Sequence, residues 1–279
     1  MIKTDLIMEL TKNFQDFRIN KLSNEDIDVI KVIIDDNNYN EYKKKKGIYY
    51  NIATNIIKDE IVEKENDLIN TFIVLLKDIF KIYKIKKKSK ILFVGLGNEN
   101  ITPDSLGPKT IKKIIMTNHL DKKNLPKIAS IIPGVMATTG LESSNIINSV
   151  VKDFKPDILL CIDSLAARSM KRLNSVIQIT TSGITPGSGV GNNRKEISYE
   201  TIKIPVIALG IPTVVGIENI SLDILEFLKL KNKKNELIKE IFDNNLNMYV
   251  TSKMIDYYIE KMSDIIAKSF NDYLISTNI

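Results

Sequence analysis

Short apolar runs that stop at glycine or aspartate alternate here with helix-period segments. That pattern predicts an α/β protein with a mostly parallel open sheet and helices on both faces. Two stretches carry the reading. Ile91-Leu92-Phe93-Val94 breaks at Gly95 and feeds a loop and then a helical pattern, and Ile158 to Ile162 is a continuous apolar run closed by Asp163. A third observation concerns organisation: no Pro-, Gly- or Ser-rich linker and no internal repeat divides the 279 residues. One domain over 1–279 is expected, with 1–60 a partly separate β-containing N-terminal segment.

In chain order, 26–34 reads as a strand with both faces apolar, and Gly47 to Ile52 as a second strand paired with it. The polar stretch between them, Asp35 to Lys46, is a loop. Leu68, Phe72, Leu75, Leu76 and Ile79 fall on one face of a helix over Glu63–Tyr83. Strand 91–94 follows, then a helix opening near Asp104–Ser105 and running to Met116. A short strand at Ile128–Ile132 ends at Pro133-Gly134, and a helix covers Gly140–Phe154. Strands are expected at 158–162, Ser175–Ile179 and Val206–Gly210. Ser164-Leu165-Ala166-Ala167-Arg168 looks helical, and two long helical patterns, about 221–242 and 252–274, close the chain.

Composition excludes several classes of function. Hydrophobic residues make up 43 %, which is globular rather than disordered. No apolar run approaches the ~20 residues of a membrane helix, and the N-terminus lacks the pattern of a signal peptide. A cytoplasmic location without membrane contact is expected. The net charge of +6 gathers in lysine runs at 43–46, 86–88 and 231–234. These read as solvated loops or helix ends. No aromatic residues interleave with them to stack on bases, so no direct nucleic-acid partner is expected. The single Cys161 cannot form an internal disulfide and suits a strand interior. His119 reads as a helix C-terminal cap. One His and one Cys are too few for an ordinary zinc site, and no Gly-x-Ser-x-Gly elbow exists to serve a Ser-His-Asp triad. No metal and no cofactor are expected.

The chemistry-bearing candidates sit at strand ends. In an open α/β sheet, sites form beyond the carboxyl ends of the strands. Asp104 follows strand 91–94 and Asp163 follows strand 158–162, so the sheet can bring both carboxyls to one edge. Two close carboxylates do not readily both ionise; one keeps its proton and one acts as a base. Each is also a plausible helix N-cap. Gly97 and Asn98 lie in the loop before Asp104. Their Gly-x-Gly lacks the third glycine of a dinucleotide fingerprint. Ser182 to Gly191 is the most glycine-rich run, and Ser182, Gly183, Gly187, Ser188 and Gly189 are candidates for holding a peptide backbone; an ordinary loop remains open. Arg168 and Arg172, spaced i, i+4 on the expected helix, can pair with surface carboxylates, and Arg168 is also a candidate for binding substrate.

Longer segments, taken together, resemble the germination protease family of spore-forming bacteria. They are VGLGNENITPDSLGP at 94–108, IIPGVMATTGLES at 131–143, PDILLCIDSLAARS at 156–169, TTSGITPGSGVGNNRKE at 180–196, IPVIALGIPTVV at 204–215 and MYVTSKMID at 248–256. Lys3-Thr4-Asp5-Leu6 matches a landmark near the start. The resemblance implies an atypical aspartic endopeptidase that begins degradation of small acid-soluble spore proteins at germination. It implies a fold similar to hydrogenase maturation proteases, a location in the spore core or forespore, a homotetramer, and synthesis as a zymogen. It places the catalytic pair at Asp104 and Asp163. This chain starts two residues before Lys3, so little or no propeptide is expected. Its 215–248 segment is short, and Gly216 stands where an aspartate is expected. The competing readings are a maturation-type protease that recognises a metal-loaded substrate, and a catalytically silent relative that binds spore proteins.

Overall fold

The computed structural model describes residues 4–10, 17–42, 44–86, 88–120, 125–191, 194–230, 236, 239–240 and 248–276. The strands are β1 (Ile27–Ile34), β2 (Gly47–Thr54), β3 (Lys90–Gly95), β4 (Lys127–Ile131), β5 (Ile158–Ala167), β6 (Val176–Thr180), β7 (Val206–Gly216) and β8 (Tyr249–Val250). The helices are α1 (Tyr39–Tyr42), α2 (Glu65–Ile82), α3 (Leu106–Lys113), α4 (Met136–Thr139), α5 (Ser143–Phe154), α6 (Tyr199–Ile202), α7 (Ile217–Phe227) and α8 (Ile255–Asn271).

All eight strands join one sheet in the order β1-β2-β6-β7-β5-β3-β4, with β8 on the far end of β7. The pairings β7-β5, β5-β3 and β3-β4 are parallel. Those of β1, β2, β6 and β8 are antiparallel. The two N-terminal strands therefore extend the same sheet through β6.

Residue alternation along the strands divides the core. Ile91 and Phe93 face α2, α3 and α8, whereas Leu92 and Val94 face α5 and α6. On the first face Phe270 packs edge-on against Phe72 at 5.6 Å and against Phe93 at 4.9 Å, the T-shaped geometry that aromatic quadrupoles favour. On the second, Cys161 is fully buried among Leu92, Ile147 and Ala208. A third cluster packs Leu6 and Ile7 of the N-terminal segment on Ile30, Tyr49 and Leu165.

Several expectations are corrected. Ser164–Arg168 is not helical: β5 continues to Ala167, with Ser164 opposite Ile211 and Ala167 opposite Val215 across a bulge at Leu165/Ala166. The sheet satisfies the backbone of this segment, and that outweighs the helix preference of Leu, Ala and Arg. For the same reason β7 runs past Gly210 to Gly216. Helix α3 stops at Lys113, short of Met116. His119 is exposed in the turn beyond it and caps no helix. Helix α7 begins at Ile217 rather than 221, and most of the expected 228–242 portion lies outside the described residues. Lys43, Lys87 and Lys231–Lys234 also lie outside them.

Candidate active site

Strand β3 ends at Gly95, and the loop beyond it turns back so that Thr102–Asp104 forms a single helical turn before α3. Gly97 has φ +105°, and a Cβ there would lie 2.0 Å from the Asp104 carbonyl oxygen. Only glycine lets the loop close this tightly. The closure aims the backbone N–H of Asn98 at Asp104, whose Oδ2 accepts it at 2.7 Å. Asp104 caps no helix; its carboxylate closes its own loop. Helix α3 presses equally hard on the sheet: a Cβ on Gly107 would lie 2.4 Å from the carbonyl oxygens of Ile162 and Leu96.

Asp163 lies within β5 rather than at its end, so it caps no helix either. It is 5 % exposed, and its Oδ1 accepts the N–H of Ser164 at 2.9 Å. Burial pushes the Asp104 carboxyl above the ordinary carboxylate range, opposed by the Asn98 N–H. Asp163 is pushed well above it, first by burial, then by the charge of Asp104, with Asp5 adding to the effect and the Ser164 N–H opposing it. Asp163 thus feels the charge of Asp104, and both that charge and its own burial favour retention of its proton.

Both aspartates line one cavity of about 680 Å³. Gly97, Asn98, Gly187, Ser188 and Gly189 line it as well. Ser182 and Gly183 instead line a neighbouring pocket of about 250 Å³, which shares Asp5, Leu165, Ile184, Thr185 and Ser188 with the first. Arg168 borders neither. It follows β5 directly, and its guanidinium meets Asp223 of α7 at 2.6 Å. Arg172 ends the short turn Met170–Arg172, so the two arginines share no helix.

Other contributors carried no signal in the sequence reading. Asp5, noted only as part of a landmark, lines both pockets. Lys44, read as one of a solvated run, sends its Nζ to the carbonyl oxygens of Thr4 at 2.8 Å and Asp5 at 3.3 Å, and burial holds its pKa down. The buried hydroxyls of Ser144, Ser164 and Thr213 line the larger cavity and meet no hydrogen-bond partner among the described residues. Met136, Ile101 and Val135 give the same cavity an apolar wall. Among the described residues no group of three or more His, Cys, Asp or Glu is arranged to hold a metal ion.

A structure search finds a [NiFe] hydrogenase maturation protease, HycI from Thermococcus kodakarensis, at 13 % identity and a TM-score of 0.38, covering 71 % of this chain and 99 % of that one. The germination protease of Clostridium acetobutylicum is 35 % identical over 97 % of this chain and 94 % of its own length. That of Priestia megaterium is 46 % identical over 66 % of this chain and 52 % of its own length. That of Bacillus cereus ATCC 10987 is 32 % identical over 97 % and 92 %. The family model for germination proteases matches residues 3–232, which include both aspartates, the glycine-rich loop and Asp5. The chain belongs to the germination protease family.

Proposed function

We propose that this peptidase is an endopeptidase that opens the degradation of small acid-soluble spore proteins at germination, using water activated by Asp104 and Asp163. The observation that supports this most directly is the pair itself. Two carboxyls with raised proton affinity, one sensing the charge of the other, line a single partly apolar cavity. A substrate backbone would lie along the Gly187–Gly189 loop, which lines the same cavity.

In the working state one carboxyl is ionised and the other protonated. The ionised group removes a proton from water as that water attacks the scissile carbonyl. The protonated group donates a hydrogen bond to the carbonyl oxygen and offsets the negative charge that develops there. When the tetrahedral intermediate collapses, the proton just gained passes to the leaving amine. Asp163, the more deeply buried, suits the acid; Asp104, held ionisable by the Asn98 N–H, suits the base. The test is to incubate purified protein with small acid-soluble spore proteins and sequence the fragments, alongside Asp104→Asn and Asp163→Asn variants. Discrete internal cleavage by the parent, lost in both variants, is the expected result. Folded Asn variants that cut at the parental rate would remove the aspartate-pair mechanism, and intact substrate with the parent would remove the activity.

A further inference from the structure

Asp5 occupies a junction that the aspartate-pair reading does not use. Its backbone N–H donates to the Ala166 carbonyl at 3.1 Å, adding the N-terminal segment to the edge of β5 just beyond Asp163. Its carboxylate divides its two oxygens between the walls of the site. Oδ2 accepts the N–H of Ala166 at 2.9 Å, and Oδ1 accepts the hydroxyl of Ser188, in the glycine-rich loop, at 2.9 Å. Its carbonyl oxygen accepts from Gln178 of β6 at 3.0 Å and from Lys44 at 3.3 Å. A Cβ on Gly189 would lie 2.2 Å from Asp5 Oδ2, so the loop rests directly on this carboxylate.

A second acidic residue of the same segment provides a contrast. Glu9 also ties the segment to the end of β5, accepting the N–H groups of Arg168 and Ser169 at 2.8 Å each, but it borders neither pocket. Fastening the segment therefore does not require a carboxylate inside the site. Asp5 lies there, in contact with the Gly187–Gly189 loop that lines the same cavity as the aspartate pair.

We infer that Asp5 is a positioning residue of the peptidase site: it seats the Gly187–Gly189 loop against β5 and sets the electrostatic environment of the Asp104–Asp163 pair. The second part of this rests on the function proposed above; the first does not. The charged and titratable groups facing Asp5 are Lys44 from the β1–β2 connection, Asp163 from β5 and Tyr249 from β8. Glu9 from its own segment also acts on Lys44. The Asp5 charge favours the proton on Asp163, so its removal lets the acid of the pair ionise at lower pH.

The test uses the full chain and four variants. Asp5→Asn keeps nearly the same shape: its carbonyl can take the Ala166 N–H and its amide can donate to Ser188. Asp5→Ala removes both bonds, Ser188→Ala removes only the loop contact, and Glu9→Gln loosens the segment away from the site. Hydrogen exchange across 184–190 is read first, because it does not depend on the reaction. Faster exchange is expected in Asp5→Ala and Ser188→Ala, and parental exchange in Glu9→Gln. Activity on small acid-soluble spore protein is read second. Asp5→Asn should move the basic limb of the kcat/KM profile to lower pH, and Asp5→Ala should lower kcat/KM roughly 10- to 100-fold, the scale of a displaced binding wall. Parental exchange in Ser188→Ala overturns the seating role even if Asp5→Ala does not fold. An unmoved pH profile in Asp5→Asn, or an equal loss in Glu9→Gln, overturns the specific role of the Asp5 carboxylate. An Asp104→Asn variant that stays active while loop exchange still rises in Asp5→Ala removes the pair mechanism and leaves the seating intact.

Discussion

The two halves of the sheet do different work with similar material. In the parallel half, β4-β3-β5-β7, strands run the same way, so Asp104, in the loop beyond β3, and Asp163, one residue past the pairing of β5 with β3, line one cavity. In the antiparallel half, β6-β2-β1, strand ends alternate, so chemistry cannot gather at one edge in this way. That half contributes side chains from strand faces and connections, such as Gln178 and Lys44, and they hold the N-terminal segment in place. Parallel strands collect reactive groups, and antiparallel strands brace them. Damage to the first half should therefore appear in catalysis and damage to the second mainly in stability.

The largest effect is expected from replacing either carboxyl of the pair. Asp104→Asn and Asp163→Asn should each lose ~10³-fold or more in kcat/KM, and the double variant should be little worse than either single one, because the two act as a unit. Steady-state assays on folded variants decide this. Next in size is the contact of α3 with the parallel strands. Gly107→Ala drives a methyl into two carbonyl oxygens and should cost about 1–3 kcal/mol, measured by denaturant unfolding.

A third prediction separates stability from catalysis at a single residue. The native-state pKa of Asp163 lies well above its ordinary value of 3.8, mainly through burial. Its contribution to stability is therefore fully present below that ordinary value and is lost as pH rises through the raised one. At pH 7 inactive Asp163→Asn should melt above the parent, and the gap should close as pH falls toward 4. Parallel melting curves from pH 4 to 8 check both the sign and the window. The smallest effect belongs to the antiparallel half. Tyr50 on β2 donates its hydroxyl to Asp78 of α2, a carboxylate also paired with Lys31. Tyr50→Phe should cost about 1 kcal/mol and leave kcat/KM unchanged, as read by thermal melts and the same assay.

How much of this was legible in the sequence depended on how local the signal was. Apolar runs stopped by Gly95, and the spacing of Leu68, Phe72 and Leu76, located β3 and α2 because burial on one or two faces leaves a periodic trace. Asp104 and Asp163 were legible by position, next to such runs. The extent of β5 was not. Ser164–Ala167 becomes strand only because Ile211–Val215 lies alongside, a partner more than forty residues away in the chain. Asp5, Lys44 and the hydroxyl of Thr213 were hidden for the same reason. Each is an ordinary polar residue until distant elements bring it to the cavity. Arg168 had two readings, a substrate contact or a partner for a carboxylate, and only the folded chain shows Asp223 beside it.

The continuation of β5 beyond Asp163 has a mechanical meaning. A carboxylate at the tip of a strand shifts whenever the following loop shifts. Asp163 is instead fixed at mid-span, with β7 along one side and Asp5 bonded to Ala166 on the other. Strand residues Ser164 to Ala167 separate its carboxyl from the connection over 168–175. Residues inserted at the tip of that connection, near the exposed Met170, should therefore leave the strand pairing around Asp163 intact.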